Sequence, residues 1–157
     1  DYWFDSWVKL TLVNTVMNLI PIDRKIDGIR EFPIEDTLIL SNSFMDFAQR
    51  NLMIFPEGTR GTPGVILPFQ KGPAIFSLKL KKPILPAVIF GSHKIWPKEK
   101  IFFSWPTQIT VYILDPIYPD SFIGKDNPNK EEINKAINNM TSALEKIIKE
   151  KARILYD

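Results

Sequence analysis

Apolar residues along the chain alternate between helical and extended spacing. Trp3, Trp7, Leu10, Val13, Met17 and Ile20 recur every three or four positions, with Lys9 and Asn14 between them. That period predicts a helix over 4–19, which Pro21 ends. Ile22 to Arg24 reads as a short strand, and Gly28 to Pro33 as a charged loop. Thr37 to Arg50 predicts a second helix with Leu38, Leu40, Phe44 and Phe47 as its core positions and Asn51 as its break. Leu52 to Phe55 is a short, wholly apolar run, the pattern of a buried strand. Pro56 to Pro68 holds three Gly and three Pro, which predicts a loop.

Helical spacing returns over Lys71 to Leu80. Ile84 to Phe90 is a second apolar strand, and Ile109 to Leu114, rich in β-branched and aromatic residues, a third. In the tail, Ile133, Ala136, Ile137, Met140, Leu144, Ile147 and Ile148 form one apolar stripe, which predicts an amphipathic helix over 129–153. Asn129 and Glu132 have the spacing of a capping box, and Lys146, Lys149 and Lys151 lie at the end that the helix dipole favours for cations. Strands alternating with helices predict an α/β layer structure. The 157 residues are one domain's worth, so a single domain over 1–157 is expected.

Composition narrows the picture. The hydrophobic share of 45% is that of a folded chain. With no cysteine, disulfides, thiolate chemistry and cysteine-based zinc sites are excluded. A net charge of +2 gives no strong field for nucleic acid, and none is expected as a partner. The most apolar stretches, near 10–22 and 84–90, fall short of the ~20 residues a membrane span needs. Neither that pattern nor the start of the chain offers an export signal, which fits a cytoplasmic location.

The chemistry gathers after the 52–55 run, in Phe55-Pro56-Glu57-Gly58-Thr59-Arg60. Here an apolar segment delivers a carboxylate and a guanidinium three residues apart. Gly58 allows a ligand close to the backbone, and Arg60 offers a planar fork that suits phosphate. On residue chemistry alone this is an anion site or an ordinary turn with an ion pair.

The hexapeptide resembles the third signature block of the lysophospholipid and glycerol-phosphate acyltransferase family. Other segments agree in order. Ile20-Pro21-Ile22-Asp23-Arg24 resembles the second block, and Phe69-Gln70-Lys71-Gly72 the step that opens the next helix. Pro83-Ile84-Leu85-Pro86-Ala87-Val88 resembles the fourth block, and Asp115-Pro116-Ile117 a later Gly-x-Pro-Ile position. The likeness covers residues 1–117. The family's first block, His-x-x-x-x-Asp, has no match: the single histidine, His93, is followed by Lys98 where Asp is required, and reads as a loop residue after a strand. The catalytic pair is therefore expected upstream of Asp1, in a segment this chain lacks, and the chain alone is expected to be inactive. Where many members place a Lys before the first helix, this chain has Asp1-Tyr2-Trp3-Phe4-Asp5.

The resemblance implies a mixed, largely parallel sheet covered by helices. It implies transfer of a fatty acyl group from acyl-CoA or acyl-carrier protein to the hydroxyl of a lysophospholipid or glycerol-phosphate-type acceptor, with no metal and no bound cofactor. Glu57 supports catalysis by holding the acceptor or Arg60. Arg24, Gly58, Thr59, Arg60 and Lys71 bind substrate, the arginines taking the acceptor's phosphate. The work is expected at the cytoplasmic side of a membrane. Ile95, Trp96, Ile101, Phe102, Phe103 and Trp105, interleaved with Lys94, Lys98 and Lys100, have the composition of an interfacial surface, and Lys79, Lys81 and Lys82 form a second basic group. The alternative is a non-catalytic lipid- or phosphate-binding module of the same fold. A nucleotide-binding reading lacks a P-loop Lys-Ser/Thr or a dinucleotide glycine spacing.

Overall fold

The computed structural model describes residues 20, 34–59, 61–62, 64–95, 108–124 and 127–156. The sequence-predicted helix over 4–19, the strand at 22–24 and most of the aromatic segment 95–105 lie outside them. The chain divides into two compact units, 1–52 and 53–157.

In the first unit, helix α1 spans Ile34–Asp46. Glu35 and Asp36 occupy its first turn, where the dipole favours acids. Ser41 and Ser43 return their hydroxyls to the carbonyls of Thr37 and Ile39, at 2.7 and 3.0 Å. The helix runs three residues earlier than the spacing predicts and stops before Arg50, because Gln49 takes a left-handed φ of 48°. Thr37, Leu38 and Ser41 are buried, whereas Leu40, Phe44 and Phe47 are exposed, Phe47 by 91%. Of the predicted core positions Leu38 is buried, whereas Leu40 and Phe44 lie roughly a quarter-turn around the helix from the buried face and Phe47 falls beyond its last residue.

The 52–55 segment forms no ladder among the described residues. Met53 and Phe55 are 77% and 66% exposed, so the predicted buried strand is an extended, half-covered segment. Apolarity alone does not supply the hydrogen-bonded neighbour that makes a strand. Helix α2, Gly72–Leu80, begins where the 71–80 spacing places it, with a proline in its first turn. It ends at Lys81, whose φ of 52° and N–H to Ser77 O close the last turn. Pro73, Ala74, Phe76, Ser77 and Leu78 are all buried, so this short helix is enclosed on most sides.

Strands β1, Ala87–Phe90, and β2, Thr110–Ile113, pair antiparallel with Ala87 opposite Ile113 and Ile89 opposite Val111. No parallel pair forms among the described residues; the class is α/β, with helices and a small sheet. Ile84 bridges Ile117 further along, through bonds of 2.9 and 2.8 Å. Between the bridge and the strands the register slips by one: Leu85 and Pro86 face Leu114, Asp115 and Pro116. Two prolines without N–H donors explain why the predicted strand 84–90 is regular only from Ala87. Gly91, at φ 91°, turns the chain; a Cβ there would meet the Gln108 carbonyl oxygen at 2.5 Å. Helix α3, Ser92–Ile95, follows at once and contains His93, which the sequence placed in a loop.

Helix α4 spans Lys130–Tyr156, 27 residues and roughly 40 Å. The capping box forms as its spacing predicts: Glu132 N–H donates to Asn129 Oδ1 at 2.8 Å, and Asn129 N–H to Glu132 Oε2 at 3.0 Å. Its apolar stripe supplies Ala136, Ile137, Met140 and Leu144 to a core shared with Phe69, Ala74, Leu78 and Ile117. Met140 is fully buried. Lys151 Nζ sits 4.7 Å from the Tyr112 ring centre, a cation–π contact from α4 to β2.

Candidate functional site

The loop between 55 and 71 is built from its backbone outward. Gly58 N–H donates to Phe55 O at 3.1 Å, closing a tight turn with Pro56 and Glu57 at its centre. Proline is suited to the first central position because its φ is already set. Gly58 has φ 68°, a conformation costly to any residue with a Cβ.

The Glu57 carboxylate does not simply project from this turn. Its Oε2 accepts the Leu67 N–H at 2.8 Å, ten residues on, so the side chain straps the loop across its width. Gly61 passes beneath: a Cβ there would lie 3.2 Å from Val65 O and 3.5 Å from Glu57 Oε2. Val65 N–H donates to Thr62 O at 3.0 Å, and Gln70 N–H to Pro56 O at 2.8 Å. The last bond brings the returning segment back to the turn and leaves Lys71, exposed, one residue beyond. Glu57 and Gly58 thus share one turn with Thr59 directly after it, and Lys71 opens α2 beyond the returning segment, its carbonyl accepting the Ile75 N–H at 3.0 Å. Arg24 and Arg60, the two arginines of the expected site, lie outside the described residues. Among the described residues no cluster of three or more His, Asp or Glu is placed to hold a metal ion.

The acyltransferase family model matches residues 6–90, more than half of the chain. The chain belongs to the acyltransferase family. Among relatives, a 1-acyl-sn-glycerol-3-phosphate acyltransferase of Cocos nucifera is 42% identical over 72 residues, covering 46% of this chain and 23% of the relative. A beta form of that enzyme from Homo sapiens is 35% identical over 75 residues, covering 48% and 27%. The matched stretch is about a quarter of each relative's length. The crystal structure of the 1-acyl-sn-glycerophosphate (LPA) acyltransferase PlsC from Thermotoga maritima covers 94% of this chain and 52% of its own, with a TM-score of 0.61 at 21% identity. That likeness is one of fold, and it agrees with the α/β class.

One residue that braces this loop escapes the motif reading. Glu145, on α4, accepts the Phe69 N–H at 3.0 Å through Oε2, while its Oε1 meets Lys149 Nζ at 2.6 Å. The hydrogen bond from Lys149, then that from Phe69, hold the Glu145 carboxyl below the ordinary glutamate range. The pairing with Lys149 is visible at helical spacing. The bond to Phe69 joins residues 76 apart and has no local signature.

Proposed function

We propose that the intact protein transfers a fatty acyl group from acyl-CoA or acyl-carrier protein to the free hydroxyl of a lysophospholipid or glycerol-phosphate-type acceptor. The observation that carries this reading is the Pro56–Thr59 turn, a family signature held rigid by its own glutamate, with Arg60 next in the chain. Family membership and the names of the relatives support acyl transfer in glycerolipid synthesis.

In this reading Arg60 takes the acceptor's phosphate, with Lys71 adding positive charge at the mouth of the loop. Glu57 keeps the turn in shape and lies close to the acceptor. A histidine from a His-x-x-x-x-Asp block, which this chain does not contain, removes the hydroxyl proton, held in the right tautomer by its aspartate. The acceptor oxygen attacks the thioester carbonyl. The C–O bond forms, the C–S bond breaks, and the thiol leaves with the proton. Backbone amides are the natural donors to the transient oxyanion. The reaction uses no bound cofactor and no metal.

We place the work at the cytoplasmic surface of a membrane. Met53 and Phe55 support this, since both present apolar surface immediately before the turn. No described helix is long and apolar enough to cross a bilayer. The second reading, a phosphate-binding lipid module of the same fold without catalysis, rests on the same turn.

The test is an acyl-transfer assay of the full-length protein with acyl-CoA and a panel of lysolipids, read by mass spectrometry. Phosphorylated acceptors should be acylated, and Arg60→Ala should raise KM for the acceptor far more than for the donor. Equal effects on both substrates would remove Arg60 from the acceptor site, and no transfer to any acceptor would leave only the binding module.

A further inference from the structure

The family match ends at residue 90, yet the segment that returns from the signature turn is held in part by Glu145 of helix α4, 55 residues beyond that limit. Between Leu67 and Gln70 every available backbone donor is engaged. Leu67 N–H goes to Glu57 Oε2 and Gln70 N–H to Pro56 O, so both bind the turn itself. Pro68 has no donor. Phe69 N–H goes to Glu145 Oε2. The returning segment is therefore gripped on one side by the signature turn and on the other by α4. The Phe69 ring lies in the core with Met140 and Leu144, so its backbone and its side chain are anchored to the same helix.

We propose that Glu145 is a positioning residue for the Pro56–Thr59 turn: by fixing Phe69 it sets the turn's affinity for a phosphorylated lipid headgroup. This rests on the phosphate-binding reading above and extends it beyond the signature. The bond is charge-assisted, and Lys149, one helical turn on, stabilises the carboxylate in the favourable Glu-to-Lys order. Its neighbour pair, Lys146 with Glu150, is different in kind: it is 3.9 Å long, with side chains 76% and 63% exposed, and among the described residues it holds no loop donor. It serves as the internal control.

Coupling between two sites is reciprocal. If Glu145 tightens headgroup binding, a bound headgroup must protect the Phe69 amide. The experiment titrates the full chain with short-chain lysophosphatidate and with the matching monoacylglycerol by calorimetry, and follows amide exchange at Leu67 and Phe69. Glu145→Ala should weaken lysophosphatidate by about fivefold or more, with monoacylglycerol unchanged. Glu145→Gln should fall between, since an amide oxygen accepts the same bond without charge, and Glu150→Gln should match the wild type. Saturating lysophosphatidate should slow Phe69 exchange in the wild type and not in Glu145→Ala.

A folded Glu145→Ala chain that binds lysophosphatidate as tightly as wild type overturns the positioning role and leaves the phosphate reading intact. If Glu145→Ala does not fold, Glu145→Gln decides alone, and wild-type affinity there overturns the role. A wild-type chain that binds neither lipid, or both equally, removes the phosphate reading and the positioning role with it.

Discussion

Glu57 gives the sharpest mutational consequence, because its carboxylate holds the Leu67 N–H at 2.8 Å across the loop. Glu57→Ala leaves that donor without its acceptor and removes the strap. A hydrogen bond to a charged acceptor contributes about 1.5–3 kcal/mol net, a neutral one about 0.5–1.5 kcal/mol. Glu57 is half-buried, so Glu57→Ala should cost about 2 kcal/mol and Glu57→Gln, which keeps an oxygen acceptor, about 1 kcal/mol. With a urea slope of about 2 kcal/mol per molar, the alanine variant should lose about 1 M from its unfolding midpoint. Urea titration gives the stability, and amide exchange gives the site: Leu67 should exchange much faster in Glu57→Ala, with Met140 on α4 affected only through global stability. In the full-length enzyme Glu57→Gln should lower turnover while the protein stays folded. A Glu57→Ala chain that keeps both the midpoint and the Leu67 protection of the wild type would show that the carboxylate does not strap the loop.

Gly91→Ala should destabilise by about 2 kcal/mol or more, measured by thermal unfolding, because a Cβ at φ 91° meets Gln108 O at 2.5 Å. Met140→Ala, at a fully buried core position, should cost about 2–5 kcal/mol by urea titration, with the spread set by how far the core collapses. Glu145 has a lowered carboxyl pKa in the folded chain, so its contribution is present above the ordinary glutamate range and is lost as pH falls through its depressed native value. The gap between wild type and Glu145→Gln in urea midpoint should therefore be widest near neutral pH and close as the solution is acidified.

What the sequence revealed follows from how local each signal is. The terminal helix was legible because its cap, Asn129 with Glu132, and its stripe through Met140 lie within a few turns of one another. Helix α2 was legible for the same reason, within one residue at its start. The Leu52–Phe55 run was misread because apolarity does not say whether a neighbouring strand exists; Met53 and Phe55 face outward. Phe44 was expected in the core because two overlapping stripes run along α1, and packing chose the one through Leu38 and Ser41; Phe47 falls past the end of the helix. At Ile84–Phe90 the prolines that shorten the strand were in plain view, but the one-residue slip against Ile117 depends on a partner 33 positions away. The signature turn was identified from its six residues. The use Glu57 makes of Leu67 and the grip of Glu145 on Phe69 were not, since each depends on a backbone amide that any residue provides.

The decisive property is recognition of a phosphorylated glycerolipid by the turn that begins at Pro56 and by Arg60. Calorimetric titration of the chain with short-chain lysophosphatidate, in wild type and in Arg60→Ala, measures this most directly. Saturable binding by the wild type that falls at least about tenfold in Arg60→Ala, a loss on the scale of one charge-assisted bond, is the predicted result. Equal affinity in the two proteins, or a wild type indifferent to the phosphate, contradicts it.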